Sequence, residues 1–139
     1  MPTSTIQRKF GSDLLDTLSH NAAASPLEAL TELIANSYDA DAAHVEVYLS
    51  HDGLVVKDDG HGMSSRELET DFYRVGDSKK KKKRNSPAGR VYLGSFGLAT
   101  LAIRMLAKEY MLVTTKDGET SRVQERFAEK LNLEDTLQV

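Results

Sequence analysis

The 139-residue sequence contains no cysteine, so it forms neither a disulfide nor a thiolate metal site, and the redox compartment stays open. It has no apolar run of membrane-spanning length, and its first ten residues lack the apolar core of a signal peptide. The formal net charge of -3 argues against a protein built around nucleic acid. These absences predict an intracellular, cytoplasmic domain with no membrane partner.

The length suits one domain or part of one, and 40% hydrophobic residues suffice for a core. The clearest local signal is a helix start: Ser25 can cap, Pro26 suits the first helical position, and Glu28 lies where a capping acid reaches back. We expect this helix to continue to about Tyr38, with an apolar stripe formed by Leu27, Leu30 and Ile34.

Two further helices are predicted. A second capping-box pattern begins at Ser64 and opens a helix that carries Leu68, Phe72 and Val75. Helical spacing then links Leu98, Leu101, Ala102 and Met105. The C-terminal segment 119–139 has no assigned place in the fold, and we interpret it as an amphipathic helix from the spacing of Val123, Phe127 and Leu131.

Strand patterns lie between these helices. Apolar residues alternate along 45–49 and predict a strand whose buried face carries Val45, Val47 and Leu49. The turn 51–53 joins this strand to a second arm at 54–56, which predicts a hairpin. Residues 110–115 form a further predicted strand, closed by the turn 116–118.

A carboxylate and an amide share one face of the first helix. Residues four apart on a helix lie one above the other, so Glu32 and Asn36 project together. An amide oxygen can ligate Mg2+, and a carboxylate one turn earlier can orient or deprotonate a water that attacks a terminal phosphate. A solvated polar face explains the same pair, and both interpretations stay open on these residues alone.

Two glycine-containing segments are candidates for ligand contact. An apolar strand ends in Asp58, with Gly60 and Gly62 after it. Glycine lets a ligand lie against the main chain, and a carboxylate there can accept a hydrogen bond from an exocyclic amine such as that of adenine; an ordinary Asp-Gly turn is the alternative. Gly94 and Gly97 precede the third helix, where free amides suit a phosphate unless the glycines are merely flexible.

Taken together, these segments resemble the GHKL ATPases, the superfamily of gyrase, heat-shock chaperone, histidine kinase and MutL ATP-binding domains. ELIANSYDA is similar to E-x-x-x-N-x-x-D-A, DDGHGM to D-x-G-x-G-M, LGSFG to the glycine-rich third motif, and LVTTK to the threonine-bearing fourth. The sequence N-S-Y-D-A looks most like the chaperone, MutL and Microrchidia branch. The resemblance covers about residues 14–116, and Ala99 departs from it where another glycine is common.

The resemblance implies an α+β fold of the Bergerat type, a two-layer α/β sandwich with helices on one face of a mixed, mostly antiparallel sheet. It implies that residues 1–139 are a single ATP-binding domain, truncated at its C-terminus within a longer protein. Residues 76–93 would form the lid that closes over ATP.

Individual roles follow from the same resemblance. Glu32 would be the general base and Asn36 the Mg2+ ligand. Asp39 would lie at the nucleotide edge, and Asp58 would bind the adenine amino group with Thr115 behind it. The base pocket and phosphate contacts would come from Gly60, Gly62, Met63, Gly94, Ser95, Phe96 and Gly97.

The basic run 79–84 in the lid has three interpretations. It would hold the triphosphate, with Lys79 nearest the start of the lid; it would contact nucleic acid through backbone attraction; or it is a solvated loop.

The implied function is binding of ATP and ADP with Mg2+, and slow hydrolysis by an ATPase that needs parts beyond this chain. The cycle would act as a conformational or dimerisation switch, with further domains of the same chain and a nucleotide-dependent homodimer as partners. A module that senses nucleotide or binds a partner without hydrolysis is the alternative. Phosphotransfer of the histidine-kinase type is disfavoured by Asp39.

Overall fold

A computed structural model describes residues 3, 5–7, 9–10, 25–75, 85–94, 99–127 and 136–138. Its elements in chain order are β1 (Thr5–Gln7), β2 (Lys9–Phe10), α1 (Pro26–Asp39), β3 (Val45–Ser50), β4 (Gly53–Asp58), α2 (Ser65–Glu67), a π-helical turn (Leu68–Phe72), β5 (Arg74–Val75), α3 (Ala99–Leu106), β6 (Glu109–Lys116), β7 (Glu119–Arg126) and β8 (Thr136–Gln138). The predicted α+β class is confirmed by these helices and strands.

The start of α1 is the one that the sequence predicts. The Ser25 side chain accepts a hydrogen bond from the Glu28 amide, and Pro26 occupies the first turn. The predicted apolar stripe is wrong, however, because Leu27 is 73% exposed and Ile34 is also exposed. The face that is buried instead carries Ala29, Ser37 and Asp39.

The identity of the neighbouring helix explains this difference. α1 packs against α3, whose buried residues are Ala99, Thr100, Ala102 and Ile103. Ala29 on α1 and the alanines of α3 are buried, and small side chains let two helices approach closely. Two of the three apolar residues predicted to be buried, Leu27 and Ile34, are exposed instead.

Two antiparallel hairpins form, of which the sequence predicts the first in full and the second only as far as its turn. β3 pairs with β4 so that Ser50 faces Gly53 across a two-residue turn. β6 pairs with β7 across Asp117 and Gly118, whose φ angles of 52° and 79° suit the mirror-image turns of tight hairpins. Among the described strands, β1 also pairs antiparallel with β8, and β2 pairs parallel with β5.

The predicted buried face of β3 is wrong for most of its length. Val47 is exposed, and Leu49 beside the turn is 81% exposed. Hydrogen bonds from α1 reach this hairpin at the other end, at Asp58. Apolar and polar residues do alternate along β3, but α1 reaches the hairpin only at its Asp58 end, and the rest of the apolar face is exposed.

The predicted C-terminal helix is also wrong. Residues 119–126 form β7, in which Val123 is buried and Glu125 is nearly so. Phe127 follows the strand and stacks on Tyr110 at 5.5 Å between ring centroids. The turn at Asp117 and Gly118 reverses the chain, so that β7 pairs with β6. The apolar residues of this segment fit the spacing of a helix and of a strand, and the pairing with β6 decides for the strand. Leu131 lies outside the described residues.

A core forms around the second predicted helix, which is shorter than expected. The capping box of Ser64 and Glu67 is present, but α2 ends after three residues. A π turn follows, closed by a hydrogen bond from the Tyr73 amide to the Leu68 carbonyl, and Val75 belongs to β5. The extra residue in that turn places Tyr73 in a buried cluster with Ile6, Leu68 and Val123.

Polar side chains are satisfied inside this core. The Tyr73 and Tyr110 hydroxyls lie 2.6 Å apart, and the Tyr110 hydroxyl donates to Glu125 at 2.8 Å. Burial raises the pKa of Tyr110, and the neighbouring Tyr73 and Glu125 raise it further, so the hydroxyl stays protonated and able to donate.

An ion pair fastens α2 to the end of β6. Lys116 Nζ lies 2.7 Å and 2.9 Å from the two carboxylate oxygens of Glu67, which also accept from the amide and hydroxyl of Ser64. Burial by itself would raise the pKa of Glu67, but the hydrogen bonds from Lys116 and Ser64 outweigh it and lower the pKa to about 2.

We expect this pair to make stability acid-sensitive. The folded pKa of Glu67 lies below its ordinary value of 4.5, so its contribution is complete above pH 4.5 and is lost as the pH falls toward 2. Denaturant unfolding should show Glu67→Gln less stable than wild type by about 1–3 kcal/mol near neutral pH, with the gap closing in acid. Glu69→Gln, at an exposed position, is the control; a gap that is the same at every pH would contradict the assignment.

Candidate functional site

The end of β4 meets α1 through one carboxylate. The Ser37 hydroxyl donates to Asp58 Oδ2 at 2.7 Å, and the Gly60 amide donates to Oδ1 at 2.9 Å. Both oxygens are therefore oriented, while the residue as a whole stays exposed to solvent. A carboxylate held in this way can still accept a further hydrogen bond from a ligand, because each oxygen has two lone pairs.

The two glycines after Asp58 are required by close backbone approaches. A Cβ on Gly60 would lie 2.6 Å from the Ala40 carbonyl oxygen. Gly62 has a φ of 68°, and a Cβ there would lie 2.0 Å from the Thr115 carbonyl oxygen. The chain after β4 is thus wedged between the end of α1 and the end of β6, which also explains the hydrogen bond from the His61 amide to Ala40.

The threonine whose hydroxyl meets this corner is Thr114, and the assignment of Thr115 behind Asp58 stays a prediction. The Thr114 hydroxyl accepts a hydrogen bond from the Met63 amide at 2.9 Å. The Thr115 side chain is exposed, and its hydroxyl lies 2.8 Å from that of Thr120 on the neighbouring strand. Successive side chains of β6 point to opposite faces, so the hydroxyls of Thr114 and Thr115 lie on opposite faces of the strand.

Glu32 and Asn36 lie one turn apart on α1, and both are partly buried. Asn36 directly precedes Ser37, whose hydroxyl holds Asp58. The same helix therefore carries both candidate phosphate-side residues and the contact that orients the strand end.

Asp39, which the resemblance assigns to the nucleotide edge, also binds two backbone amides of the segment 85–94. It is only 4% exposed, and its two carboxylate oxygens accept hydrogen bonds from the amides of Leu93 and Gly94, each at 2.8 Å. This contact brings the start of the glycine-rich segment to the end of α1. Lys79, Ser95, Phe96 and Gly97 lie outside the described residues, as does the first part of the predicted lid.

The sequence analysis missed three anchoring residues. The carboxylate of Asp59 accepts from the amides of Ala43 and His44 and lies 3.0 Å from His44 Nδ1, and these hydrogen bonds, led by the His44 amide, lower the pKa of Asp59 to about 2. Asp41 and Arg90 join α1 to the described end of the lid segment. For Asp41, the sequence signal is an aspartate directly after a helix, in the position where glycine is common.

No group of three or more histidine, cysteine, aspartate or glutamate side chains that suits a metal ion occurs in the described ranges, and no helix there is long and apolar enough to cross a membrane. Mg2+ commonly binds through one or two protein oxygens together with water and substrate phosphates. The Asn36 amide fits that mode, in which nucleotide and metal arrive together.

A family of known proteins matches most of the chain. The family model described as "Histidine kinase-, DNA gyrase B-, and HSP90-like ATPase" matches residues 24–136. The chain belongs to this ATPase family. The match begins one residue before the N-cap of α1, ends at the first residue of β8 and includes both hairpins.

Two curated relatives are similar to part of the chain. It is 33% identical over 118 residues to a putative type II restriction enzyme, HgiDII, of Herpetosiphon aurantiacus, covering 85% of this chain and 19% of the relative. It is 30% identical over 113 residues to the DNA mismatch repair protein MutL of Thermosipho africanus (strain TCF52B), covering 78% and 19%. The chain thus spans about a fifth of the length of these relatives.

The resemblance to GHKL ATPases, including the MutL-like branch, is confirmed by these matches. Membership of the family implies that the domain binds ATP.

The close approach of the Thr115 backbone to Gly62 predicts a large loss of stability when Gly62 is substituted. Gly62→Ala should lower the free energy of unfolding by at least about 2 kcal/mol, because the new Cβ has no space and the φ is left-handed. Gly53→Ala is the matched control, since a Cβ there meets nothing within 4 Å. Urea unfolding of both variants checks the expectation, and equal stabilities would show that the Gly62 backbone can move away.

Proposed function

We propose that this domain binds Mg-ATP between α1 and the Asp58 end of β4, hydrolyses it slowly, and uses the cycle as a conformational or dimerisation switch in a larger protein. The observation that carries the proposal is the hydrogen bond from Ser37 to Asp58. It ties the helix that bears Glu32 and Asn36 to an exposed, oriented carboxylate at a strand end.

Recognition of the base is assigned to Asp58. Adenine presents an exocyclic amine, whereas guanine presents a carbonyl oxygen at the same position. An oriented carboxylate accepts from the amine and repels the carbonyl, so the site favours ATP over GTP. Gly60, Gly62 and Met63 would allow the base to lie against the chain.

The phosphates are assigned to the other end of the site. Gly94, whose amide donates to Asp39, would lie near the phosphates, and Ser95, Phe96, Gly97 and Lys79 are proposed as additional contacts from the sequence pattern. The Asn36 amide would ligate Mg2+, which would neutralise phosphate charge. Glu32 would accept a proton from the attacking water.

The output of the switch is proposed from the relatives. Both are about five times longer than the matched region, and one is by name a DNA mismatch repair protein. We propose that this domain likewise serves a larger DNA-processing protein, through further domains or a nucleotide-dependent homodimer.

Asp58→Asn should abolish selective adenine binding. One oxygen is replaced by an amide that donates where the adenine amine also donates, so the Kd for Mg-ATP should rise at least about tenfold. Calorimetric titration with ATP and GTP, with and without Mg2+, measures the effect, and Asp52→Asn in the exposed β3–β4 turn is the control. Unchanged ATP affinity in Asp58→Asn would remove the basis for this base pocket.

Glu32→Gln should separate binding from turnover. Loss of a general base lowers the rate about a hundredfold or more, while a neutral isostere should leave the Kd for Mg-ATP nearly unchanged. Phosphate release at saturating ATP from the full protein is the measurement, with Glu69→Gln as control. Tight binding without phosphate release in the wild type would favour the non-hydrolysing alternative, and transfer of labelled phosphate to protein would favour phosphotransfer.

A further inference from the structure

The described end of the lid segment, residues 85–94, is attached to the end of α1 by side chains that no motif of the family includes. We propose that Asp41 and Arg90 are positioning residues of the nucleotide site, which hold this segment on α1 so that the hydrogen bond from the Gly94 amide to Asp39, three residues after Asn36, is kept. The inference rests on the proposed function, because it assigns these residues to the same site.

Asp41 adopts a backbone conformation that glycine would adopt more readily. Its φ is 59°, immediately after the C-cap residue Ala40, in the position where helices commonly place glycine. Its carboxylate accepts a short hydrogen bond from the Ser86 hydroxyl and another from the Ala88 amide at 3.1 Å. The Ser86 hydrogen bond lowers the pKa of Asp41, so the carboxylate is charged at neutral pH. The side chain thus offers contacts that glycine lacks.

Arg90 binds the same helix end from the other side. Its Nη1 donates to the carbonyl oxygens of Tyr38 at 3.1 Å and Ala42 at 2.8 Å, and its guanidinium lies 4.7 Å from the centroid of the Tyr38 ring. Carbonyls at the C-terminus of a helix lack partners within the helix and carry the negative end of its dipole. The guanidinium thus adds a donor to the Tyr38 carbonyl, which also accepts from the Asp41 amide, and to the Ala42 carbonyl just beyond the helix, while it lies over the Tyr38 ring.

Ser86 couples the two contacts. Its hydroxyl donates to Asp41 and accepts from the Arg90 amide at 3.0 Å, and its own amide donates to the Arg90 carbonyl at 2.8 Å. Asn85 Nδ2 closes the turn by donating to the Gly89 carbonyl at 2.9 Å. Asp41, Ser86 and Arg90 therefore form one connected unit, the clasp.

Polar contacts, rather than burial, hold this segment. Val91 is 65% exposed and Leu93 is 63% exposed, so the hydrophobic effect contributes little to their placement. Outside the clasp, the Asp39 carboxylate accepts hydrogen bonds from the amides of Leu93 and Gly94. Release of the clasp should thus loosen the connection that leads directly to Gly94.

Substitution of Asp41 by glycine distinguishes a turn residue from a positioning residue. Asp41→Gly relieves the left-handed φ but removes both carboxylate contacts, so the Ala88 amide should exchange with solvent about tenfold faster and the Kd for Mg-ATP should rise about tenfold. Asp41→Asn, which keeps the tolerance for this φ but loses one acceptor, should give smaller changes in the same direction. Asp117 has a φ of 52° in an exposed turn, and Asp117→Gly and Asp117→Asn are the matched controls.

Arg90→Lys provides a second test, with exposed Arg122→Lys as its control. It should raise the Kd for Mg-ATP about fivefold, because an ammonium does not reproduce the contact of the planar guanidinium with the Tyr38 ring. Hydrogen exchange is measured without nucleotide and affinity by calorimetry. Faster exchange at Ala88 with unchanged Kd, or unchanged exchange in Asp41→Gly, would overturn the inference. A wild type that binds no nucleotide would overturn the proposed function as well, so the two failures are distinguishable.

Discussion

The hydrogen bond between the Ser37 hydroxyl and the Asp58 carboxylate joins the helix layer to the strands at the candidate site. A hydrogen bond to a charged group contributes about 1.5–3 kcal/mol, and this one also fixes a direction, because the second oxygen of Asp58 accepts from Gly60. Glu32 and Asn36 lie on the same helix as Ser37. One contact therefore sets the spacing between the proposed base-binding and phosphate-binding ends.

Acidic side chains organise the loops around this contact. Asp39, Asp41, Asp58 and Asp59 each accept at least one backbone amide from a different turn or loop. These loops offer little apolar surface to bury, and charge-assisted hydrogen bonds are the strong contacts available to them. The same four carboxylates concentrate negative charge near the end of α1, so a bound triphosphate would require the cation and the glycine-segment amides to offset repulsion.

A nucleotide-binding domain of this construction suits a role as part of a larger protein. The chain spans 19% of each of the two relatives compared above, and the site is assembled from one helix, one strand end and two loop segments. Loops held by a few polar contacts open at lower cost than packed elements. In the proposed switch, nucleotide occupancy would alter the surface that the domain presents to its neighbours.

The sequence by itself determined the ATPase family, the cap of α1, both hairpin turns and the spacing of Glu32, Asn36 and Asp58, because caps, turns and motif spacings are local properties of the chain. Tertiary structure decided which residues of α1 are buried, since that depends on where α3 and the end of β4 contact this helix. It decided that 119–126 pair as a strand, and that Thr114 rather than Thr115 meets Met63. Periodicity shows that a segment has two faces, but only the packing partner determines which face is covered.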